Sequence, residues 1–196
     1  MSSVLVKLDG QAIAGVITDY LHVATVSIEG VTFVDEYASL SVSGGTYFGE
    51  HSNDHKVWVS GLALRAGQVV DVSLLKERVE IGTGEPIRST PHLADSESQS
   101  IVPSTDVEDE STPLPRLRSG HTVRLTIDGR SPITLMTNRE EQGFRFLVSW
   151  NTVRSDKIEV VLGTYMLENA DPDATGREVV REKVSVGRNI RLELVA

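Results

Sequence analysis

The residues best suited to chemistry lie together in one polar stretch, residues 50–55, which reads Glu-His-Ser-Asn-Asp-His. Its two imidazoles, His51 and His55, and its carboxylates, Glu50 and Asp54, are side chains that metal ions accept as ligands. Two histidines four positions apart share one face only on a helix, whereas the glycines and polar residues around this stretch favour a loop. We therefore expect a loop here, with His51, Asp54 and His55 as the metal candidates.

A second stretch, residues 168–173, reads Glu-Asn-Ala-Asp-Pro-Asp and contains no histidine. Its carboxylates suit calcium or another hard ion. Each stretch follows the tripeptide Gly-Thr-Tyr, which ends at Tyr47 in one case and at Tyr165 in the other. If the two loops lie at the same end of their units, they form a natural pair of recognition surfaces. The interaction candidates are Tyr47, Glu50, His51, Asp54, Tyr165, Glu168, Asp171 and Asp173.

No pattern in the chain indicates a catalytic centre or a cofactor site. A Gly-x-Ser-x-Gly elbow is absent from the sequence, and nothing forces a serine beside a histidine such as His121. Residues 43–46, Ser-Gly-Gly-Thr, lack the lysine and the following helix of a phosphate loop. The paired carboxylates at 35–36 and 140–141 fall where turns are expected and are interpreted as solvated charges. A hydrolase that uses the 51–55 stretch is the remaining enzyme alternative.

Composition narrows the classes of partner. The chain has 196 residues, a net charge of -9 and no cysteine, which removes disulfides, thiolate catalysis and sulfur-ligated zinc. A pI of about 5.0 argues against nucleic acid, since binding to phosphates requires clustered Lys and Arg. The same charge favours a protein partner, and a basic one in particular.

The N-terminal residues contain no apolar segment of the length that a signal peptide needs, and no run approaches the ~20 apolar residues of a membrane span. We therefore expect a cytoplasmic protein with no membrane partner. The oligomeric state is left open by the sequence.

Three pairs of segments recur in the same order along the chain. Both members of the first pair alternate apolar and polar residues and end in Asp-Gly, both of the second hold Gly-Thr-Tyr, and both of the third begin at glycine. The pairs are residues 4–10 and 123–129, residues 40–50 and 158–168, and residues 67–75 and 187–195. Their separations of 119, 118 and 120 positions are nearly equal, which indicates an internal duplication.

Alternation with a period of two runs through these segments, as in Val123, Leu125 and Ile127, and no window has a helical apolar stripe. Asp-Gly at 9–10 and at 128–129 favours tight hairpin turns. The pattern predicts an all-β protein: two tandem copies of a small antiparallel β-sandwich or barrel-like module, joined by a disordered linker.

Charge and composition set the predicted boundaries. Residues 1–87 form an acidic module with 5 Lys and Arg against 11 Asp and Glu, whereas residues 119–196 form a neutral module with 11 of each. Residues 88–118 between them are rich in Pro, Ser, Thr and acidic residues, a composition that buries too little apolar surface to fold.

Two functions are expected from these observations. The first is a non-catalytic protein-interaction protein with duplicated β modules, for example an acidic inhibitor or immunity-type protein that covers a basic partner. The alternative is a module that binds a small ligand or a metal through residues 51–55 or the corresponding stretch of the second copy.

Overall fold

A computed structural model describes residues 2–48, 52–86, 115–166 and 176–196. These residues are almost entirely strands and turns, with one short 3₁₀ helix at Thr152–Arg154, which confirms the all-β prediction. In chain order the strands are β1 (Ser3–Leu8), β2 (Gln11–Ile17), β3 (Val23–Val31), β4 (Ala38–Phe48), β5 (Ser52–Leu64), β6 (Val69–Leu75), β7 (Glu85–Pro86), β8 (Thr122–Ile127), β9 (Ile133–Met136), β10 (Gly143–Asn151), β11 (Lys157–Tyr165), β12 (Glu178–Ser185) and β13 (Asn189–Val195).

The strands form two antiparallel sheets that enclose one hydrophobic core. Sheet A has the order β2-β1-β6-β13-β8-β9, and sheet B has the order β12-β11-β10-β3-β4-β5-β7. Alternate side chains of both sheets point into the core, for example Val26 and Ile28 of β3 and Ile190 and Leu192 of β13. Burying alternate side chains between two layers explains the period of two in the sequence.

The two halves of the chain do not close separate sandwiches. β6 pairs with β13 in sheet A, and β3 pairs with β10 in sheet B, so both sheets and the core contain strands from both halves. The prediction of two modules with separate cores therefore differs from the structure. Alternation shows which side chains face inward, but it does not show which strand lies beside which, because backbone hydrogen bonds are the same for every sequence.

Strands that correspond in the sequence occupy matching places in the sheets. The order β2-β1-β6 in one half of sheet A is mirrored by β9-β8-β13, and β5-β4-β3 in sheet B is mirrored by β12-β11-β10. At the centre of sheet A, Asp71 faces Arg191, which lies 120 positions further along the chain. The Arg191 Nε donates a hydrogen bond of 3.0 Å to the Asp71 carboxylate, so matching positions of the two halves carry opposite charges that pair.

Most of the predicted linker, residues 88–114, lies outside the described residues, and its disorder stays a prediction. Its last residues are bound to the fold. The Leu117 N–H donates to the Thr32 carbonyl (2.8 Å), and the Arg118 guanidinium donates to the carbonyls of Val34 and Asp35 (2.6 and 2.8 Å). Folded structure in the second half therefore begins a few residues before the predicted boundary at 119.

Candidate functional site

Part of the first predicted loop is strand. Phe48 of β4 pairs with Ser52 of β5, so residues 52–55 belong to β5 and Asp54 and His55 are strand residues. This corrects the prediction of a loop through residue 55. The physical reason is the antiparallel pairing of these two long strands, which extends to Phe48 and Ser52. Glu50 and His51 lie outside the described residues.

No metal centre is visible among the described residues, where no three His, Asp or Glu side chains form a group that could hold an ion. Asp54 and His55 are neighbours in β5, so their side chains project to opposite faces of the sheet. Asp54 is exposed and His55 is partly buried. The metal prediction depends on His51 as well, and it stays a prediction.

The second predicted loop lies mostly outside the described residues, including Glu168, Asp171 and Asp173. Tyr165 ends β11 and is held by the fold. Its hydroxyl donates to the Gly30 carbonyl (3.3 Å), and the Arg145 guanidinium lies 5.9 Å from its ring centroid. Burial, together with the nearby Glu29 carboxylate, raises the pKa of Tyr165 to about 12. This tyrosine is structural, whereas its sequence counterpart Tyr47 is 52% exposed.

Tyr47 and Tyr165 lie at opposite ends of sheet B. In the strand register Gly45 of β4 faces Val23, whereas Tyr165 of β11 faces Gly143, which in turn faces Val31 at the other end of β3. We call the end that contains Val23 the near end and the end that contains Val31 the far end. The two Gly-Thr-Tyr segments therefore end at opposite ends of sheet B, and the pairing of the two loops as recognition surfaces stays a prediction.

Three large hydrophobic side chains are exposed at the near end: Tyr20 (78%), Tyr47 (52%) and Val153 (88%). They come from three segments that meet at His22. The Tyr47 N–H donates to the His22 Nδ1 (2.9 Å), and the Thr152 N–H donates to the His22 carbonyl (3.1 Å). We call these three side chains the near-end surface.

Tyr47 is an interaction candidate predicted from the sequence, whereas Tyr20 and Val153 are not among the predicted candidates. A signal was present, because Tyr20 and Val153 are large hydrophobic residues within polar turns, Asp-Tyr and Asn-Thr-Val-Arg. A large hydrophobic residue in a polar turn can therefore be counted as a surface candidate from the sequence, although Leu21 and Tyr37 show that some turn residues pack against the core.

A cleft of about 500 Å³ opens at the near end beside this surface. Its wall includes Asp19, Lys76, Asp156 and Trp150. Trp150 is 3% exposed and belongs to the core, and its indole N–H donates to the Ser155 carbonyl (3.1 Å), which holds the turn between β10 and β11. The cleft therefore has a rigid aromatic base and charged walls that contact solvent.

The far end has a corresponding cleft of about 440 Å³, lined by Tyr37, Asp35, Leu64 and Arg118 among others. Here the protein's own Arg118 lies in the cleft. Its guanidinium is 5.5 Å from the Tyr37 ring centroid and donates to the carbonyls of Val34 and Asp35. An arginine stacked on an aromatic ring and bonded to turn carbonyls is a stable arrangement.

Tyr37 also joins the two sheets at the far end. Its hydroxyl contacts the carbonyls of Thr122 and Val195 (3.0 Å each) and accepts a hydrogen bond from the Thr122 N–H (2.8 Å). Burial raises the pKa of Tyr37 despite the nearby Arg118 charge, so the hydroxyl stays protonated at neutral pH. This side chain reaches from the β3–β4 turn of sheet B to β8 and β13 of sheet A.

His121 is buried under this turn, with 2% of its surface exposed. Its ring meets the rings of Tyr37 and Phe144 edge-on, at centroid distances of 4.9 and 5.2 Å. Neither ring nitrogen has a hydrogen-bond partner among the described residues. Burial, reinforced by the Arg118 charge and partly offset by the Val31 carbonyl, lowers the pKa of His121 to about 4. At neutral pH the imidazole is therefore uncharged.

Glu141 is a buried carboxylate at the far end, which corrects the expectation that residues 140–141 are both solvated. It accepts hydrogen bonds from the Thr164 hydroxyl (2.6 Å), the Asn138 N–H (2.8 Å) and the Arg177 Nε (3.2 Å). Burial raises the pKa of Glu141, but these hydrogen bonds outweigh burial and the net shift is downward. The cluster ties the turn before β10 to both sides of the β11–β12 hairpin, while Glu140 is exposed.

Comparisons of this chain with protein-family models, with curated proteins and with solved structures find no match. Within the described residues, no helix has the length and apolarity needed to cross a membrane.

Proposed function

We propose that this protein is a non-catalytic interaction protein that binds a protein partner through the near-end surface. The observation that carries the proposal is the exposure of Tyr20, Tyr47 and Val153 at one end of the sandwich. Clustered exposed apolar side chains are unfavourable in water and are typical of protein interfaces, where tyrosine in particular is enriched. Nothing in the described fold covers them.

Charge supports a basic partner. The chain carries a net charge of -9, and the cleft beside the near-end surface contributes the carboxylates of Asp19 and Asp156. Complementary charge accelerates association and selects against acidic partners. An acidic protein that covers a basic surface, as an inhibitor does, is one form of this function, and a cytoplasmic location remains our expectation.

We also propose that the two halves arose by duplication of one sequence. The mirrored strand orders of the two halves support this origin, as do the three sequence correspondences at nearly constant separation. A duplicated chain can keep the packing of both copies and still change the surface of each one. The prediction of a flexible linker belongs to the same proposal, and it now applies to residues 88–114, which lie outside the described residues.

The second candidate function is binding of a small ligand, and the volume of the near-end cleft, about 500 Å³, favours it. The two functions are separable, because a small ligand would stabilise the protein in a thermal-shift screen in the absence of any protein partner.

Capture from an extract of the source cells, with the full chain immobilised, tests the protein-binding function. We expect a stoichiometric protein to bind the wild type and to be lost from the Tyr20→Ser and Val153→Ser variants. Met136→Ser is the matched control, since Met136 is 65% exposed and lies at the far end. The proposal is wrong if no stoichiometric protein binds at low or physiological salt, or if the control loses the protein equally.

A further inference from the structure

The strands that join the two halves in sheet A pair in a reciprocal register. Residues 69–73 of β6 correspond to residues 189–193 of β13, at a separation of 120 positions. The two runs face each other in reverse order, so the first residue of one faces the last residue of the other, and Asp71 in the middle faces its own counterpart, Arg191. A pairing of this kind is what a two-fold axis produces.

The strands that join the halves in sheet B show the same reciprocity. Residues 24–28 of β3 correspond to residues 146–150 of β10, because both runs face matching residues of β4 and β11. These runs also face each other in reverse order, and Val26 in the middle faces its own counterpart, Val148. An approximate two-fold axis through the two central pairs therefore relates the halves.

Most of this interface does not distinguish one half from the other. A two-fold interface uses the same surface on both of its sides. The valines on the axis, Val26 and Val148, are 1% and 2% exposed, and because they are identical they would pack equally well in any combination of halves. The backbone hydrogen bonds between the strands are likewise independent of sequence.

The Asp71–Arg191 pair is the part of the axis that distinguishes the halves. Asp71 is 8% exposed and accepts hydrogen bonds from the Arg191 Nε (3.0 Å) and the Asn189 Nδ2 (2.8 Å). Burial raises the pKa of Asp71, but these hydrogen bonds and the charges of Arg191 and Lys7 outweigh burial, and the net shift is downward.

Pairing of like halves would remove these contacts. In a pair of two first halves, a second Asp71 would replace Arg191, and Val69 would replace Asn189. Two largely buried carboxylates would then face each other without a donor from the opposite strand, which is strongly unfavourable. A pair of two second halves would place one Arg191 guanidinium against another.

We propose that the surface joining the halves also accepts the matching half of a second copy of this chain, and that the Asp71–Arg191 pair restricts every such pairing to a first half with a second half. Opposite charges stabilise that combination and like charges destabilise the others. Residues 87–114, which connect the halves, number 28, and an extended chain of that length spans about 90 Å, which is long enough for two copies to exchange halves.

Within one chain the connection keeps the two halves at a high effective concentration, which favours pairing within the same chain over exchange. Exchange of halves does not involve the near-end surface, and it can occur whether or not that surface binds a partner.

Two charge reversals in the full chain test the proposal. Asp71→Arg places arginine on both sides of the axis, and Arg191→Asp places aspartate on both sides. When the two variants are unfolded together in urea and refolded as a mixture, exchange of halves restores an opposite pair in each sandwich. We expect a dimer with one copy of each variant, at twice the 21.4 kDa of a single chain.

Native mass spectrometry with one variant ¹⁵N-labelled measures the yield of this mixed dimer. The baseline is labelled and unlabelled wild type unfolded and refolded in the same way. A yield no higher than this baseline would overturn the proposal.

Arg124→Glu and Glu193→Arg form the matched control. The Arg124 Nη1 donates to the Glu193 Oε2 (3.2 Å) in the same sheet, but both residues belong to the second half. Each reversal therefore places like charges within one half, where exchange of halves cannot separate them. Mixed dimers from this pair in the same yield as from the Asp71 and Arg191 variants would also contradict the proposal.

The double variant Asp71→Arg/Arg191→Asp guards against simple failure of the single variants to fold. It reverses the pair within one chain, so its urea midpoint should be higher than that of either single variant, each of which should lie below the wild type. A double variant no more stable than the single variants would show that the pair does not act through its opposite charges.

If neither single variant folds alone, the mixture still gives the answer. A folded mixed dimer would support exchange of halves, and a mixture that stays unfolded while the double variant folds would rule it out.

Discussion

The near and far ends of the sandwich are built from corresponding strands and turns, yet they differ in the side chains that line the cleft at each end. At the far end Tyr37 bonds both sheets, Arg118 occupies the cleft, and His121 and Glu141 are buried beneath. At the near end Tyr20, Tyr47 and Val153 project into solvent, and the described residues that line the cleft there include Lys76 and Trp150 but no arginine. Under the function that we propose, the same framework provides stability at one end and binds a partner at the other.

The largest difference between the ends should appear when each loses an aromatic side chain. Tyr37→Ala removes the contact between the sheets and the ring beneath Arg118, and we expect a loss of about 3 to 4 kcal/mol in the free energy of unfolding. Tyr20→Ala, which removes an exposed ring at the near end, should change it by less than about 0.5 kcal/mol. Urea unfolding of both variants measures this, and equal losses would contradict the comparison.

Lowering the pH should reduce the free energy of unfolding, because His121 at the far end takes up a proton more readily in the unfolded chain. Because the pKa of this histidine is about 4 in the folded protein and about 6.5 in an unfolded chain, the unfolded state binds the proton first as the pH falls. The contribution to stability is present above pH ~6.5 and is lost progressively towards pH ~4. We expect a loss of about 2 kcal/mol between pH 7 and 4.5, less than the full shift implies because solvent screens part of the Arg118 charge.

His121→Phe, which cannot titrate, isolates this effect. The variant should keep its stability between pH 7 and 4.5, whereas the wild type should lose stability over the same range. Thermal or urea unfolding over this pH range measures it. A decline of equal size in His121→Phe would assign the acid sensitivity to other groups.

Glu141→Gln tests the buried carboxylate cluster at the far end. The amide cannot accept charge-assisted hydrogen bonds from both Arg177 and Thr164, so we expect a loss of about 1 to 2 kcal/mol in unfolding free energy at pH 7. The pKa of Glu141 is lowered in the folded protein, so its contribution is lost as the pH falls through that value, and the wild type and the variant should converge in acid. Glu140→Gln, in the exposed neighbour, is the control and should be neutral.

The smallest effect is expected at Val153. Since 88% of this side chain is exposed, Val153→Ser should change the unfolding free energy by less than about 0.5 kcal/mol while abolishing partner capture. A clear loss of stability would show that Val153 supports the fold, and the near end would then resemble the far end after all.

Some of these features can be predicted from the pattern of residues. His121 stands in the same phase as Val123, Leu125 and Ile127, so the alternation that marks β8 also places this imidazole on the inner face. The hydrophobic residues Tyr20 and Val153 are likewise visible as residues in polar turns.

Glu140 and Glu141 show where prediction from the sequence stops. The two residues are chemically identical neighbours, and only the second is buried. Its partners Thr164 and Arg177 lie 23 and 36 positions further along the chain. Whether a turn carboxylate is solvated or buried therefore depends on segments that meet it only after folding.

The sequence by itself determined the strands, their inward faces and the hairpin turns, because these depend on residues two positions apart and on local backbone preference. Tertiary structure decided that the halves share both sheets, since a strand edge offers the same backbone donors and acceptors to any neighbour. This pairing of strands from both halves places Asp71 beside Arg191. It also places the two Gly-Thr-Tyr segments at opposite ends of sheet B.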